Sequence, residues 1–143
     1  MQRVTLRGVF LLSLMAVVAP TGGACNDKTA PTAPTVPTTT ETFSGTLAQS
    51  GTASHSFTVS AKGTLTISLT SVSPLSTMSI GLGIGSWDGS TCGSAMSKND
   101  NARAGATALT GTAVAGNYCV RVYDSGNIPA DWTVAYEVSV VHP

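Results

Sequence analysis

The three cysteines of this 143-residue chain are the side chains best suited to covalent chemistry. Cys92 and Cys119 lie in the body of the sequence, about 27 residues apart. Because no histidine or further cysteine stands beside them, they make a poor zinc site. In an exported chain, which the N-terminus indicates below, such a pair favours a disulfide. Loop-closure entropy gives a bridge of this span about 3 kcal/mol. The sequence therefore predicts a Cys92–Cys119 disulfide, with buried free thiols as the alternative.

The two histidines of the body, His55 and His142, are natural candidates for acid–base chemistry. His142 is the penultimate residue and is expected to be exposed, whereas His55 stands between two serines, where a solvated or hydrogen-bonded role is expected. The chain contains no Gly-x-Ser-x-Gly elbow and no P-loop, dinucleotide fingerprint or His-Glu-x-x-His motif. The sequence therefore predicts a non-catalytic module without a cofactor. An exported hydrolase, or an accessory domain of one, is the alternative.

Residues 98–101, which read Lys-Asn-Asp-Asn, form the densest polar cluster of the chain. Together with Asp88 and Asp124, which are expected at strand ends, Asp100 of this cluster could supply oxygen ligands to calcium. The competing interpretation is an ordinary turn, in which Asn and Asp bond their own backbone. Because no EF-hand-like register is present, the turn is favoured. The sequence predicts no metal, with Asp88, Asp100 and Asp124 as weak calcium candidates.

Trp87 and Trp132 stand out because aromatic residues make up only 6% of the chain. Exposed aromatic side chains at loop ends serve carbohydrate or protein binding, although more often they cap the end of a sandwich core. Tyr123 and Asp124 lie next to an expected turn. A candidate ligand surface for a glycan or a protein therefore comprises Trp87, Tyr123, Asp124 and Trp132.

The elements that must position these residues show a period of two. Strict alternation of apolar and polar residues is typical of half-buried strands. The alternating runs are Leu65-x-Ile67-x-Leu69, Met78-x-Ile80-x-Leu82-x-Ile84, Tyr118-x-Val120-x-Val122 and Val134-x-Tyr136-x-Val138-x-Val140, and two earlier strands are suggested by Phe43 with Leu47 and by Phe57 with Val59. Glycine-containing turn signals separate the runs. The sequence predicts an all-β fold, a single antiparallel β-sandwich, with residues 99–108 as a loop or at most one helical turn.

The composition supports the same fold class. Charged residues make up 10% of the chain, and 17 serines and 21 threonines dominate it. Helix bundles and coiled coils need Ala, Glu, Lys and Leu instead. The formal net charge is zero, which argues against an electrostatic binder of nucleic acid, since such a protein needs a basic stripe.

The N-terminus reads as an export signal. Arg3 and Arg7 precede an uncharged apolar run at residues 9–19, which is too short to cross a bilayer but suits a signal peptide. We expect residues 1–24 to be the signal peptide, 25–40 a disordered Thr/Pro-rich tether with an extended polyproline-II character, and 41–143 the folded domain. The protein is therefore expected to be exported.

Cys25 directly follows Gly-Ala and resembles the cysteine of a bacterial lipoprotein box, although Gly22 stands where the usual leucine would be. A lipid on Cys25 would anchor the chain in the cell envelope and be its only membrane contact. The alternative is an ordinary secretory cut before a free Cys25, which would release a secreted protein.

The stretch Gly116-Asn117-Tyr118-Cys119-Val120-Arg121-Val122-Tyr123, together with Gly63-x-Leu65-x-Ile67-x-Leu69, resembles the bacterial pre-peptidase C-terminal domain over roughly residues 41–141. The resemblance implies a jelly-roll-like β-sandwich of the kind appended to exported proteins. It also extends to small bacterial lipoproteins that carry such a domain alone behind a tether. Members of that family often carry aspartates where this chain has residues 77–82, so no calcium role is carried over.

Overall fold

A computed structural model describes residues 35–143. The expected signal peptide, the lipidation candidate Cys25 and most of the expected tether lie outside the described residues. Residues 35–143 form eight strands and no helix, which confirms the all-β prediction. Accordingly, they hold no helix long and apolar enough to cross a membrane. The strands are β1 (Thr39–Ala48), β2 (Thr52–Val59), β3 (Gly63–Ser73), β4 (Ile80–Ser86), β5 (Ser97–Ala102), β6 (Ala106–Ala113), β7 (Gly116–Tyr123) and β8 (Thr133–His142).

The strands form two four-stranded antiparallel sheets. Sheet A has the order β1-β8-β3-β6, and sheet B has the order β2-β7-β4-β5. The first strand pairs with the last, the second with the seventh, the third with the sixth and the fourth with the fifth. This is the pattern of one long hairpin rolled up on itself, which is the eight-stranded jelly roll. The predicted sandwich is therefore confirmed.

The core lies between the sheets and is built by alternation. Along β8, Val134, Tyr136, Val138 and Val140 are buried, whereas Thr133, Ala135 and Glu137 face solvent. Buried side chains of β3, β4 and β7 meet those of β8, among them Ile67, Leu69, Ile80, Leu82, Val120 and Val122. Apolar area removed from water in this layer is the main stabilising contribution.

The same alternation corrects the expectation for His142. The inward positions of β8 are the even-numbered ones, and the penultimate residue is the last of them, so its side chain is only 3% exposed. Nε2 of His142 lies 2.9 Å from Oε1 of Glu41. The centroids of the His142 and Phe57 rings are 5.3 Å apart. His142 is therefore part of the packed interior and not an exposed terminal residue.

Residues 99–108 are mostly strand, and not a loop or a helical turn as the sequence predicts. They belong to β5 and β6, which are joined by a short turn at Gly105, whose φ of +80° suits glycine. The expected turn at residues 98–101 is likewise part of β5. This strand is polar because it lies at the edge of sheet B, where only Ala102 is buried. Charged and amide side chains are common on exposed edges, and they hide the strand from a search for apolar alternation.

Strand β4 is buried on both faces, and not on one as the alternation predicts. Its inward residues face sheet A, while Gly81, Gly83 and Gly85 lie under other parts of the chain. A Cβ on Gly85 would stand 2.8 Å from the carbonyl oxygen of Gly93, so a larger residue would not fit. Gly85 therefore lets the loop that carries Gly93 lie directly on the outer face of sheet B, and Gly81 lies under the ring of Tyr123.

The strand register defines two ends of the sandwich. Thr39 pairs with His142, so the described chain begins and finishes at one end, here called the terminal end. Thr39 and Thr40, which the sequence assigns to the tether, are already part of β1. Ala48 pairs with Thr133 at the other end, here called the loop end, where loops 49–51 and 124–132 lie.

Candidate functional site

A disulfide fixes the loop of residues 87–96 on the outer face of sheet B. Cys119 alternates with the inward residues of β7, so its side chain points outward to Cys92, and the two Cα atoms are 5.7 Å apart. This confirms the predicted pair. The Gly93 N–H donates to the carbonyl of Ser86 (2.8 Å), which folds the loop back over β4. Cys119 is fully buried beneath the loop as a result.

Beside this loop lies a groove, here called the sheet B groove, made of two adjoining depressions of about 440 and 350 Å³. Both are lined by Thr52 and Arg121. The first is completed by the loop residues and Ser54, and the second by β4, β5 and the end of β7. The full lining is Thr52, Ser54, Gly83, Trp87, Ser90, Thr91, Cys92, Ala95, Lys98, Arg121 and Tyr123. Hydroxyls, two cations and two aromatic side chains therefore surround one surface.

Arg121 lies at the centre of the sheet B groove. In the register of sheet B it stands between Ser54 on β2 and Gly83 on β4. Its Nη2 donates to the carbonyl oxygens of Cys92 and Gly93, the latter at 3.2 Å. These two bonds hold the half-buried guanidinium in a fixed position and tie it to the disulfide loop.

Tyr123 closes the groove toward the loop end. Its hydroxyl donates to Oδ1 of Asp100, and Lys98 Nζ lies 2.9 Å from Oδ2 of the same carboxylate. Burial, followed by the hydrogen bond to Asp100, raises the pKa of Tyr123 to about 12. The phenol therefore remains protonated at neutral pH. The hydrogen bonds from Tyr123 and Lys98 lower the pKa of Asp100, which remains ionised.

Asp88 organises the rim of the groove. Its carboxylate accepts hydrogen bonds from the N–H and hydroxyl groups of both Ser90 and Thr91. These bonds, those of Thr91 first, hold the pKa of Asp88 well below its usual range. This is an Asx-type turn, and it places the two hydroxyl residues on the rim of the groove.

Asp124 organises a different loop. Its Oδ1 accepts the N–H groups of Gly126, Asn127 and Ile128 at 2.8, 2.9 and 3.1 Å, and its Oδ2 accepts that of Ser50 at 2.8 Å. Burial opposes ionisation, but these backbone N–H groups together lower the pKa of Asp124. The carboxylate ties loop 124–132 to loop 49–51 at the loop end.

The four residues predicted as a ligand surface do not form one surface. Trp87 and Tyr123 line the sheet B groove, whereas Asp124 is a loop cap and Trp132 lies just before β8, 40% exposed. The backbone N–H of Trp87 donates to the backbone carbonyl of Asn117 at the terminal end, roughly 20 Å along β7 from Asp124. Tyr123, Asp124 and Trp132 therefore lie toward the loop end, and Trp87 lies at the terminal end, at the opposite end of the groove from Tyr123.

The ligand surface predicted from the sequence did not include the polar residues at the centre of the groove. Thr52, Ser54 and Arg121 are outward residues of β2 and β7 that become neighbours only when these strands pair. One signal was present in the sequence. Arg121 is the only charged residue in the run 116–123, and it alternates with Val120 and Val122.

The two histidines contact residues outside the sheet B groove, and each of the three calcium candidates has hydrogen-bond partners of its own. His55 Nε2 lies 2.8 Å from the hydroxyl of Tyr136, and its ring stacks 5.1 Å from that of Phe43, in line with a hydrogen-bonded role. Burial lowers the pKa of His55. Over residues 35–143, no three His, Cys, Asp or Glu side chains are grouped as metal ligands would be. Asp88, Asp100 and Asp124 instead bind the separate partners given above.

A second concavity of about 250 Å³ opens between the sheets. It exists because β5 begins only at Ser97, opposite Ile84, while β6 continues to Ala113. Its apolar lining includes Leu65, Ile67, Ile84, Met96 and Leu109. This cleft is smaller than the usual ligand pocket of about 300–1,000 Å³, and it offers fewer hydrogen-bonding side chains than the sheet B groove. The sheet B groove is the candidate site.

No protein-family model matches the chain, and no curated protein shows significant similarity to it. The resemblance to the pre-peptidase C-terminal domain stays a prediction. The fold defines the protein as an eight-stranded jelly-roll sandwich, and its distinguishing surface is a polar groove bordered by aromatic side chains.

Proposed function

We propose that this protein is a non-catalytic, exported binding module that holds a glycan in the sheet B groove. One observation carries the proposal: two adjoining depressions share Thr52 and Arg121 and are bordered by Trp87 and Tyr123. Sugars present hydroxyls that need donors and acceptors, and less polar C–H faces that pack on aromatic rings. The groove offers both kinds of group, with the aromatic side chains at its two ends and the hydroxyls between them.

The groove is also held rigidly before any ligand arrives. The disulfide, the Asx-type turn of Asp88 and the hydrogen bonds of Arg121 fix the wall formed by loop 87–96. Binding therefore has little loop ordering to overcome, which favours affinity. A third depression of about 500 Å³ on the other side of Trp87, lined by Ser56, Thr58 and Asn117, extends the polar surface for a longer chain.

The proposal is tested with a glycan array followed by calorimetry on the purified protein. Trp87→Ala and Thr52→Val, the latter removing one hydroxyl at nearly constant volume, are each expected to weaken binding, and Trp87→Ala by at least about tenfold. Trp132→Ala is the matched control, since Trp132 is an exposed aromatic residue outside the groove. Absence of any bound glycan, or an equal loss in Trp132→Ala, would contradict the proposal. Unchanged thermal melting shows that each variant folds.

We also propose that the module is tethered to the cell envelope by a lipid on Cys25. The apolar segment at residues 9–19 and the Gly-Ala-Cys sequence support this. The expected mature protein begins at an acylated Cys25, and Cys25→Ser is expected to release it from membranes. Mass spectrometry and fractionation measure both results. An unmodified Cys25, or continued membrane association of the variant, would contradict the anchor.

A further inference from the structure

We propose that the glycan held in the sheet B groove is acidic, and that one of its carboxylates pairs with Arg121. This inference rests on the proposed glycan binding and names the class of sugar, a uronic acid. The free donors of Arg121, the charges around it and the space above it support this pairing.

Arg121 keeps unused hydrogen-bond donors beyond those that bind the loop of residues 87–96. A guanidinium carries five N–H groups, and Nη2 uses its two for the carbonyls of Cys92 and Gly93. The N–H groups of Nε and Nη1 have no acceptor in the part of the chain that the structure describes. Every buried side-chain nitrogen and oxygen in that part has a hydrogen-bond partner. Because Nε and Nη1 of Arg121 have none, these two atoms are not buried, and solvent can reach their three N–H groups. Both two-pronged edges of a guanidinium include Nη2, which the loop occupies, so a carboxylate oxygen would accept a single charge-assisted N–H from Nε or Nη1.

The charge of Arg121 is not offset by a neighbouring carboxylate. Among residues 35–143, the one pair of a lysine or arginine with a carboxylate within 4 Å is Lys98 with Asp100. Asp100 therefore offsets Lys98 at the same groove. Asp88, on the rim, is also ionised, but it is not within ion-pair distance of Arg121, and its carboxylate accepts four hydrogen bonds from Ser90 and Thr91. A cation with free donors thus remains at the centre of the groove.

The neighbours of Arg121 leave room for a ligand and help to bind it. Gly83, which flanks Arg121 on β4, has no side chain, and this opens the second depression. Ser54, which flanks it on β2, and the nearby Thr52 are exposed hydroxyl residues. A sugar ring whose carboxylate lies on Arg121 would therefore place its hydroxyls near these two side chains. The floor of the groove is suited to one acidic unit.

The test compares two probes that differ only in charge, oligogalacturonate and its methyl ester of the same length. Charge-assisted hydrogen bonds to Arg121 are expected to make wild-type protein bind the acid about ten- to a hundredfold more tightly than the ester. This preference should shrink as salt is raised, because salt screens the pair. Arg121→Gln should bind both probes alike. Arg103→Gln is the matched control, because Arg103 is an exposed arginine outside the groove that donates to the carbonyl of Thr77, and it should keep the preference.

The outcomes separate this inference from the proposed function. Equal wild-type affinity for acid and ester, a neutral glycan as the only ligand on the array, or an unchanged preference in Arg121→Gln would overturn the acidic subsite and leave glycan binding standing. If Arg121 only held the loop, Arg121→Gln would weaken both probes equally. No binding to any glycan would overturn the proposed function itself. Should Arg121→Gln fail to fold, Arg121→Lys and the salt dependence of the wild type decide the question.

Discussion

The ring of Tyr123 lies directly over Gly81 on the outer face of sheet B. A Cβ placed on Gly81 would stand 2.1 Å from Cε2 of Tyr123, far inside van der Waals contact. The two residues are register partners on β4 and β7. Glycine at position 81 therefore lets the tyrosine lie flat on the sheet, where its hydroxyl reaches Asp100 and closes the groove.

Gly81→Ala is expected to destabilise the fold by about 1–3 kcal/mol, since the added methyl group must displace the tyrosine ring. Urea unfolding at equilibrium measures the change. Gly111→Ala on β6 is the matched control, because a Cβ there meets nothing within 4 Å. In a Tyr123→Ala background the effect of Gly81→Ala should be smaller. Equal stability of the two alanine variants would show that the ring does not constrain position 81.

Removing the disulfide should lower stability and loosen the wall of the groove. For Cys92→Ala with Cys119→Ala we expect a loss of about 3 kcal/mol, from the loop entropy returned to the unfolded chain. Denaturant midpoints measure the loss, and proteolysis within residues 87–96 reports the freed loop. Alkylation of the unreduced, folded protein at both positions would contradict the bridge.

Asp124→Asn should destabilise the loop end. The amide has one acceptor oxygen, whereas both carboxylate oxygens of Asp124 accept backbone N–H groups. Hydrogen bonds to a charged group contribute about 1.5–3 kcal/mol, so a loss of about 1–3 kcal/mol is expected. Asp131→Asn is the control. Asp131 is exposed and has a φ of 64°, which asparagine tolerates, and it should change stability by less than about 0.5 kcal/mol. Similar losses of stability in both variants would show that the hydrogen bonds to the Asp124 carboxylate do not stabilise the loop end.

His55 should make stability fall as the pH drops from neutrality toward 5. Burial lowers its pKa below the ordinary value of 6.5. Below that value the unfolded chain binds a proton that the folded chain excludes, so acid favours unfolding. The ring faces Phe43 and the hydroxyl of Tyr136, and no charged group of residues 35–143 hydrogen-bonds to it. The carboxylates with lowered pKa titrate at lower pH and do not contribute in this window.

The measurement is the melting temperature of wild type and His55→Gln between pH 7.5 and 5, with an NMR titration of the imidazole. The variant should lose less stability than the wild type over this range. An imidazole that titrates at or above 6.5, or parallel pH profiles for the two proteins, would contradict the prediction.

The alternation of apolar residues in the sequence predicted the strands that have an apolar face, β4 among them, and missed the polar edge strand β5. β8 and β7 alternate because one face meets the core and the other meets water or a loop. β5 carries Lys98, Asn99 and Asp100 at a sheet edge, so it has no apolar face to detect. The outer face of β4 is buried by a loop, which single-sequence periodicity does not reveal.

The sequence by itself determined which side chains point inward and which cysteines can be joined, because period-two alternation and cysteine number are local properties of the chain. Only the tertiary structure decided which outward residues become neighbours. Ser54, Cys92 and Arg121 meet because β2 pairs with β7 and the disulfide lays loop 87–96 beside them. Pairing between distant strands depends on how both sheets bury their apolar faces together, which is a property of the whole fold and not of any one segment.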